Sequence, residues 1–199
     1  MKEKLTTYNI ILIIVLVISL GLLFVENASA ITGNSITEVT SSNVSISAFY
    51  AIDWSNNITS GIIFETITAL PITDDNATGN YIDPATDNST DYWANVSLDG
   101  NVAVDFCIYA DAGMDNGGTG VIGLANETYA TNVTSSNFTL PSAGVQIPFT
   151  TTSTEAASQV YPGNYSYWRF WLDVQVGQEV GDYSNAVSFK AISEGETCI

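Results

Sequence analysis

Hydrophobic and polar residues alternate with a period of two through most of this chain, and only near its start do apolar residues run almost unbroken. Residues 10–25 form that run, interrupted only by Ser19 and Gly21. Beyond residue 30 no stretch holds a 3.6-residue period. Short runs rich in Val, Ile, Thr, Tyr, Phe and Trp recur instead between clusters of turn residues, and each reads as a strand. They fall at 44–54, 60–70, 91–98, 102–110, 120–124, 128–133, 144–152, 165–176 and 183–192. That many short strands predict an all-β fold, a two-sheet sandwich or jelly roll. Segment 72–90 reads as a polar loop and 111–119 as a glycine-rich one.

Two segments can be read in register. Around Asp99-Gly100-Asn101, a hairpin with a three-residue loop pairs Leu98 with Val102 and aligns the apolar faces of 91–98 and 102–110. It calls for Gly100 or Asn101 in the left-handed conformation and puts Asn95 on the outer face. In 165–176, Trp168, Phe170, Leu172, Val174 and Val176 form the core set. Tyr167, Arg169, Trp171, Asp173 and Gln175 form the outer one. Arg169 between Tyr167 and Trp171 suits cation–π stacking. This aromatic outer face is either covered by the rest of the fold or a glycan, or it is a contact surface for a second subunit or a surface carbohydrate.

The apolar run follows Lys2 and Lys4 and closes on Ala28-Ser29-Ala30, the pattern of a cleavable signal peptide spanning 1–30. A retained anchor is the competing reading, although the run is short for a membrane span. The segment 31–43 then opens the exported chain, and 44–199 forms the sandwich. Export is supported by sequons: Asn43, Asn57, Asn76, Asn88, Asn95, Asn126, Asn132, Asn137 and Asn164 each precede x-Ser/Thr. These are nine of the fifteen asparagines in 31–199, where chance predicts about three or four. Glycosylation is expected at several of them.

Composition narrows the function. The 199 residues carry Lys+Arg 4 against Asp+Glu 21, a formal charge of -17, which opposes nucleic-acid binding. Histidine is absent, which removes His-based triads and most zinc sites. With hydrophobic residues at 46% and charged ones at 13%, the chain is too apolar to be a disordered acidic tail. The glycines of GTGVIG at 118–123 match a dinucleotide fingerprint, but no helix follows and no βαβ unit surrounds them, so they read as a loop. Asp74, Asp75, Asp83, Asp87 and Asp91 in one loop, and Asp111 and Asp115 in another, read as solvated acids, with weak calcium sites the alternative at Asp111 and Asp115. No pair of carboxylates is singled out for glycosidase chemistry, so no enzyme and no cofactor is expected.

In an exported chain the two cysteines, Cys107 and Cys198, are expected to pair, stapling the polar C-terminal tail. An intersubunit bond and two free thiols are the alternatives.

The stretch YPGNYSYWRFWLDVQVGQEVGDYSNAVSFKAISEGETC carries an aromatic strand, then Gly-x-x-x-Gly-x-Tyr from Gly177 to Tyr183, then the strand NAVSFKA. Over 160–199, and more weakly over DYWANVSLDGNVAVDFCIYA, the chain resembles small secreted archaeal β-sandwich proteins, the glycosylated threads and bundling pili. It is more distantly similar to bacterial biofilm-matrix fibre proteins. The resemblance implies a homopolymer at the cell surface, in which an N-terminal strand of one subunit fills a groove in the next. Here that strand would be 31–43, with Ile31, Ile36 and Val39 filling pockets, although Ile36 and Val39 do not share strict alternation. An ordinary first strand or a disordered leader is the other reading of this segment. A monomeric adhesin and an envelope-lattice protein are the alternatives for the whole chain.

Overall fold

The computed structural model describes residues 43–81, 89–134, 141 and 144–199. The segments 1–30 and 31–43, apart from Asn43 itself, lie outside them, as do Ile31, Ile36, Val39, Asp83, Asp87, Asn88 and Asn137. Among the described residues no helix is long and apolar enough to cross a membrane.

Two antiparallel sheets pack face to face. The larger one contains β1 (Ile52–Trp54), β3 (Trp93–Val96), β10 (Tyr165–Val174), β7 (Glu127–Thr134) and β8 (Ile147–Pro148), in that order, and β2 (Ile72–Asn76) also pairs with β10. The smaller has β11 (Val187–Ser193), β4 (Val104–Ala110) and β9 (Thr154–Val160), in that order. A separate ribbon joins β5 (Met114–Asp115) to β6 (Val121–Ile122). Helix is limited to α1 (Asn56–Ser60), which Ser55 caps by accepting from Ile58 N, and a 3₁₀ turn at Leu124–Asn126. This is the expected all-β sandwich, and its compact unit runs from Ile46 to Ile199.

The core lies between the sheets. Trp168 and Phe170 of β10, Ala94 and Val96 of β3, and Val104, Phe106 and Ile108 of β4 are all fully buried there. Phe189 of β11 meets Trp54, Trp168 and Phe170 in edge contacts, with centroids 5.9, 5.2 and 6.2 Å away. A smaller cluster of Met114, Ile122, Leu172 and Val174 closes one end, whereas Val176, expected in the core, lies past the strand and is exposed.

Four sequence expectations are corrected. Strands β3 and β4 do not form a hairpin, because β3 pairs with β1 and β10 while β4 pairs with β11 and β9. Ala94, Val96, Val104, Phe106 and Ile108 face inward as expected while Leu98 is exposed, and alternation reports the face a residue takes and not the strand beside it. Neither Gly100 nor Asn101 has positive φ. Segment 60–70 contributes only an isolated bridge, Phe64 to Ala77, while the acidic stretch 72–76 is a strand. The chain also forms β9 from TEAASQV, a run with few strand-favouring residues.

The fourth correction concerns the outer face of β10. Tyr167, Arg169 and Trp171 are each 2% exposed, so they do not form an open contact surface. Arg169 does not stack between Tyr167 and Trp171. Its guanidinium lies over the Tyr81 ring, 4.0 Å from the centroid, and its Nε donates to Asn80 O at 3.0 Å. The segment from Ala77 to Tyr81 therefore closes over this strand. Between β3 and β2 the free edge of β10 is filled by the amide of Asn80. Its Nδ2 donates to Phe170 O at 2.6 Å, and its Oδ1 accepts from Phe170 N at 2.8 Å. One side chain thus replaces a strand residue and satisfies buried backbone groups.

Candidate functional site: an open rim and a face of sequons

Two regions of the surface stand out, and both follow from how the sheets end. The first is the rim where β1 and β11 face each other across the core. Asp111 N donates to Ala186 O, fixing that pair as hydrogen-bonded and setting the alternation along β11. Ser188, Lys190 and Ile192 therefore bond to β4, while Val187, Phe189 and Ala191 direct their N–H and C=O groups to the open side. No described strand pairs with that side. Ile52, Trp54, Val187, Phe189 and Ala191 are only half-buried here. An open cleft of about 730 Å³ runs beside the second half of β11, lined by Tyr50, Ile52 and residues from Lys190 to Ile199. Near Val187 and Phe189 a smaller cavity of about 180 Å³ also reaches Ile58, Ile62 and Glu127.

Residues 43–51, before β1, belong to no strand. Val44, Ile46 and Phe49 are 86%, 78% and 58% exposed. Asn101 holds the segment's end: its Oδ1 accepts from Phe49 N at 2.8 Å and its Nδ2 donates to Ser47 O at 3.0 Å.

The disulfide joins Cys107 to Cys198, with Cα atoms 5.9 Å apart and a sequence separation of 91. Cys107 lies opposite Lys190 in the register, on the face of β4 away from the core, so the bond fastens the tail over the outside of the smaller sheet. Asp105 adds a second tie, its Oδ2 accepting from Gly195 N at 2.7 Å, and Lys190 Nζ donates to Ile199 O.

The second region is the outer face of the larger sheet. The register places a sequon asparagine directly beside each outward aromatic of β10: Asn95 beside Tyr165, Asn132 beside Tyr167, and Asn76 beside Trp171. The described asparagines, Asn56 apart, sort into two groups. Asn80, Asn101, Asn116 and Asn185 lack sequons, and each commits its Nδ2 to an internal hydrogen bond. Asn43, Asn57, Asn76, Asn95, Asn126, Asn132 and Asn164 carry sequons, and none donates from Nδ2 to another described residue. All seven are exposed or half-buried. The sequence alone did not mark Asn80 or Asn101 as structural. The available signal was that each lacks a sequon in a chain where most asparagines have one.

The remaining candidates are occupied by local structure. Asp111 Oδ1 accepts from Ala186 N and Asp115 Oδ1 from Gly117 N, each at 2.9 Å. Among the described residues no group of three acidic or cysteine side chains is placed to hold a metal. Of GTGVIG only Gly118–Gly120 turn between β5 and β6, Val121–Ile122 being β6 itself, and the Gly118 and Gly120 N–H groups donate to Asn116 Oδ1. A Cβ on Gly120 would run into the Tyr183 hydroxyl, which donates to Glu179 O at 2.8 Å and accepts from Gln178 Nε2 at 2.8 Å. Tyr183 thus pins the corner after β10 to the glycine loop.

Buried acids are few. Burial pushes the Glu127 carboxyl above its usual range, opposed by the 2.7 Å hydrogen bond from Asn185 Nδ2. Asp75 is also raised, by burial and then by Glu65. Tyr167 is pushed up to about 12 by burial and then by Tyr165, and its hydroxyl has no hydrogen-bond partner. The chain matches no family model, no curated protein and no solved structure.

Proposed function

We propose that the protein is an exported, N-glycosylated, non-enzymatic structural subunit that assembles with copies of itself into a surface filament by strand donation. The observation that carries this reading is the outer edge of β11, which no described strand pairs and which is bordered by the cleft and by half-buried core residues such as Trp54 and Phe189. An edge of this kind accepts an added strand: main-chain hydrogen bonds supply affinity, and alternate side chains of the donor fill the rim. The donor is the segment 31–43, continued by Val44 and Ile46, which are exposed apolar residues. The sequons, with their uncommitted Nδ2 atoms, support a glycosylated exterior.

Two variants test the assembly, scored by electron microscopy of material from the cell surface. A chain that keeps residues 1–30 but lacks 31–44 should be exported, fold and remain monomeric. Ala191→Pro should do the same, because it removes an N–H directed away from β4 and spares the sheet itself. Filaments formed by the shortened chain would overturn strand donation.

A further inference from the structure

We propose that Trp93 and Tyr165 seat the glycan carried by Asn95, whose first sugar lies against their rings; the inference rests on the glycosylation reading above. Asn95 begins the sequon Asn95-Val96-Ser97 on β3. Trp93 precedes it by two residues, hence on the same face and ~6.7 Å along the strand, within the span of one sugar. Tyr165 is its direct cross-strand neighbour on β10. The two rings touch edge to face with centroids 5.6 Å apart, and Tyr165 stacks on Tyr167 at 5.5 Å. The result is a continuous aromatic surface.

Exposure selects this place among the three asparagine–aromatic neighbours on the face. Tyr167 beside Asn132 and Trp171 beside Asn76 are already covered at 2% exposure. Trp93 and Tyr165 are half-buried, so they have ring surface left to cover. The amide of Asn95 is oriented to match. Among the described residues its Oδ1 is sealed without a partner, while its Nδ2 donates no hydrogen bond and is not sealed. A glycosyl transfer there forms the Nδ2–C1 bond, breaks the C1–O bond of a sugar-phosphate donor and releases one amide proton. The C–H-rich face of the attached pyranose then meets the electron-rich faces of the rings. Such stacking gives a glycan a fixed direction and shields a half-open aromatic cluster on an exported surface.

The test uses the full chain expressed in its native cell. Mass spectrometry of glycopeptides first reads occupancy at Asn95 and the other sequons. Thermal unfolding is then compared for the wild type, Asn95→Gln, Trp93→Leu and the double variant. The expected result is that Asn95→Gln lowers the midpoint by about 2–4 °C when Trp93 is present and has no effect in the Trp93→Leu background. Tyr165→Leu supplies a second background should Trp93→Leu fail to fold. Upfield ring-current shifts of the first sugar's protons in the intact protein, lost in the isolated glycopeptide, are a third readout. Equal cost of Asn95→Gln in all backgrounds, without shifted sugar protons, overturns the stacking. An unmodified Asn95 amid occupied sequons overturns this inference alone, and a chain with no sequon occupied overturns the glycosylation reading with it.

Discussion

Strands β10 and β11 are read from the sequence in the same way, as alternating aromatic and aliphatic runs, yet the fold uses them oppositely. Strand β10 is central: β7 lines one edge along its length, and β3, Asn80 and β2 fill the other. Both of its faces are buried. Strand β11 pairs only with β4, and just one of its seven residues is buried. The contrast teaches that alternation fixes which face a side chain takes, whereas the state of a strand's edges depends on distant segments. In β10 those segments are supplied by the chain itself. In β11 no described strand fills the open edge.

The largest effect should come from the device that holds the β11 sheet together in place of a second neighbour. Replacing both Cys107 and Cys198 by Ser removes a cross-link spanning 91 residues of sequence. The loop-entropy estimate for a loop of that size is roughly 4–5 kcal/mol, an upper figure. Denaturant unfolding should show that loss, and hydrogen exchange should show it concentrated in β11 and β4. A uniform loss across both sheets would mean that the two regions unfold as one unit and that the bond is not specific to the smaller sheet.

Paired truncations sharpen the comparison next. Trp171→Ala, on the covered face of β10, should destabilise the folded monomer by about 3–5 kcal/mol, as emptied aromatic sites do. Phe189→Ala, half-buried on β11, should cost the monomer only about 2 kcal/mol while abolishing filaments, because an aromatic at a docking rim acts as an anchor. Chemical denaturation of monomers and microscopy of assembled material read the two effects separately. The opposite ranking would assign assembly to β10 and stability to the rim.

Sequence made the sandwich legible because inward residues must be apolar in every strand, so Val96, Phe106 and Trp168 declared themselves. The disulfide was legible because the chain holds two cysteines and no metal or catalytic motif around either. Partnership was not legible. The run 91–110 looked like a hairpin because a turn separates two matched faces, but a sandwich equally joins strands of opposite sheets through such a turn. Strand β9 escaped notice because TEAASQV buries little and is held by the backbone of β4 rather than by β-branched side chains. The outer face of β10 misled for a related reason. Its outer residues look like an interface when the segment that closes over Arg169, 77–81, carries no periodic signal of its own.

Glu127 lies where the two regions meet, paired with Leu172 of β10 and lining the small cavity beside Val187 and Phe189 of β11. Burial raises its carboxyl above the ordinary value of 4.5, and the hydrogen bond from Asn185 only partly offsets this. The folded chain therefore holds this proton more tightly than the unfolded chain does. Between the ordinary value and the raised one the folded state binds more protons, so stability falls as pH rises through that window. Asp75, raised by burial and by Glu65, acts in the same direction. Glu127→Gln keeps an acceptor for Asn185 Nδ2 without a charge. It should melt above the wild type at neutral pH, and the gap should close as pH falls below the ordinary carboxyl value. Asp91→Asn, an exposed acid with the same change in net charge, controls for the general repulsion of an anionic chain. If the two variants gain equally and their gaps shrink together, net charge accounts for the effect. A gap for Glu127→Gln that stays constant with pH would show that its gain does not come from the proton.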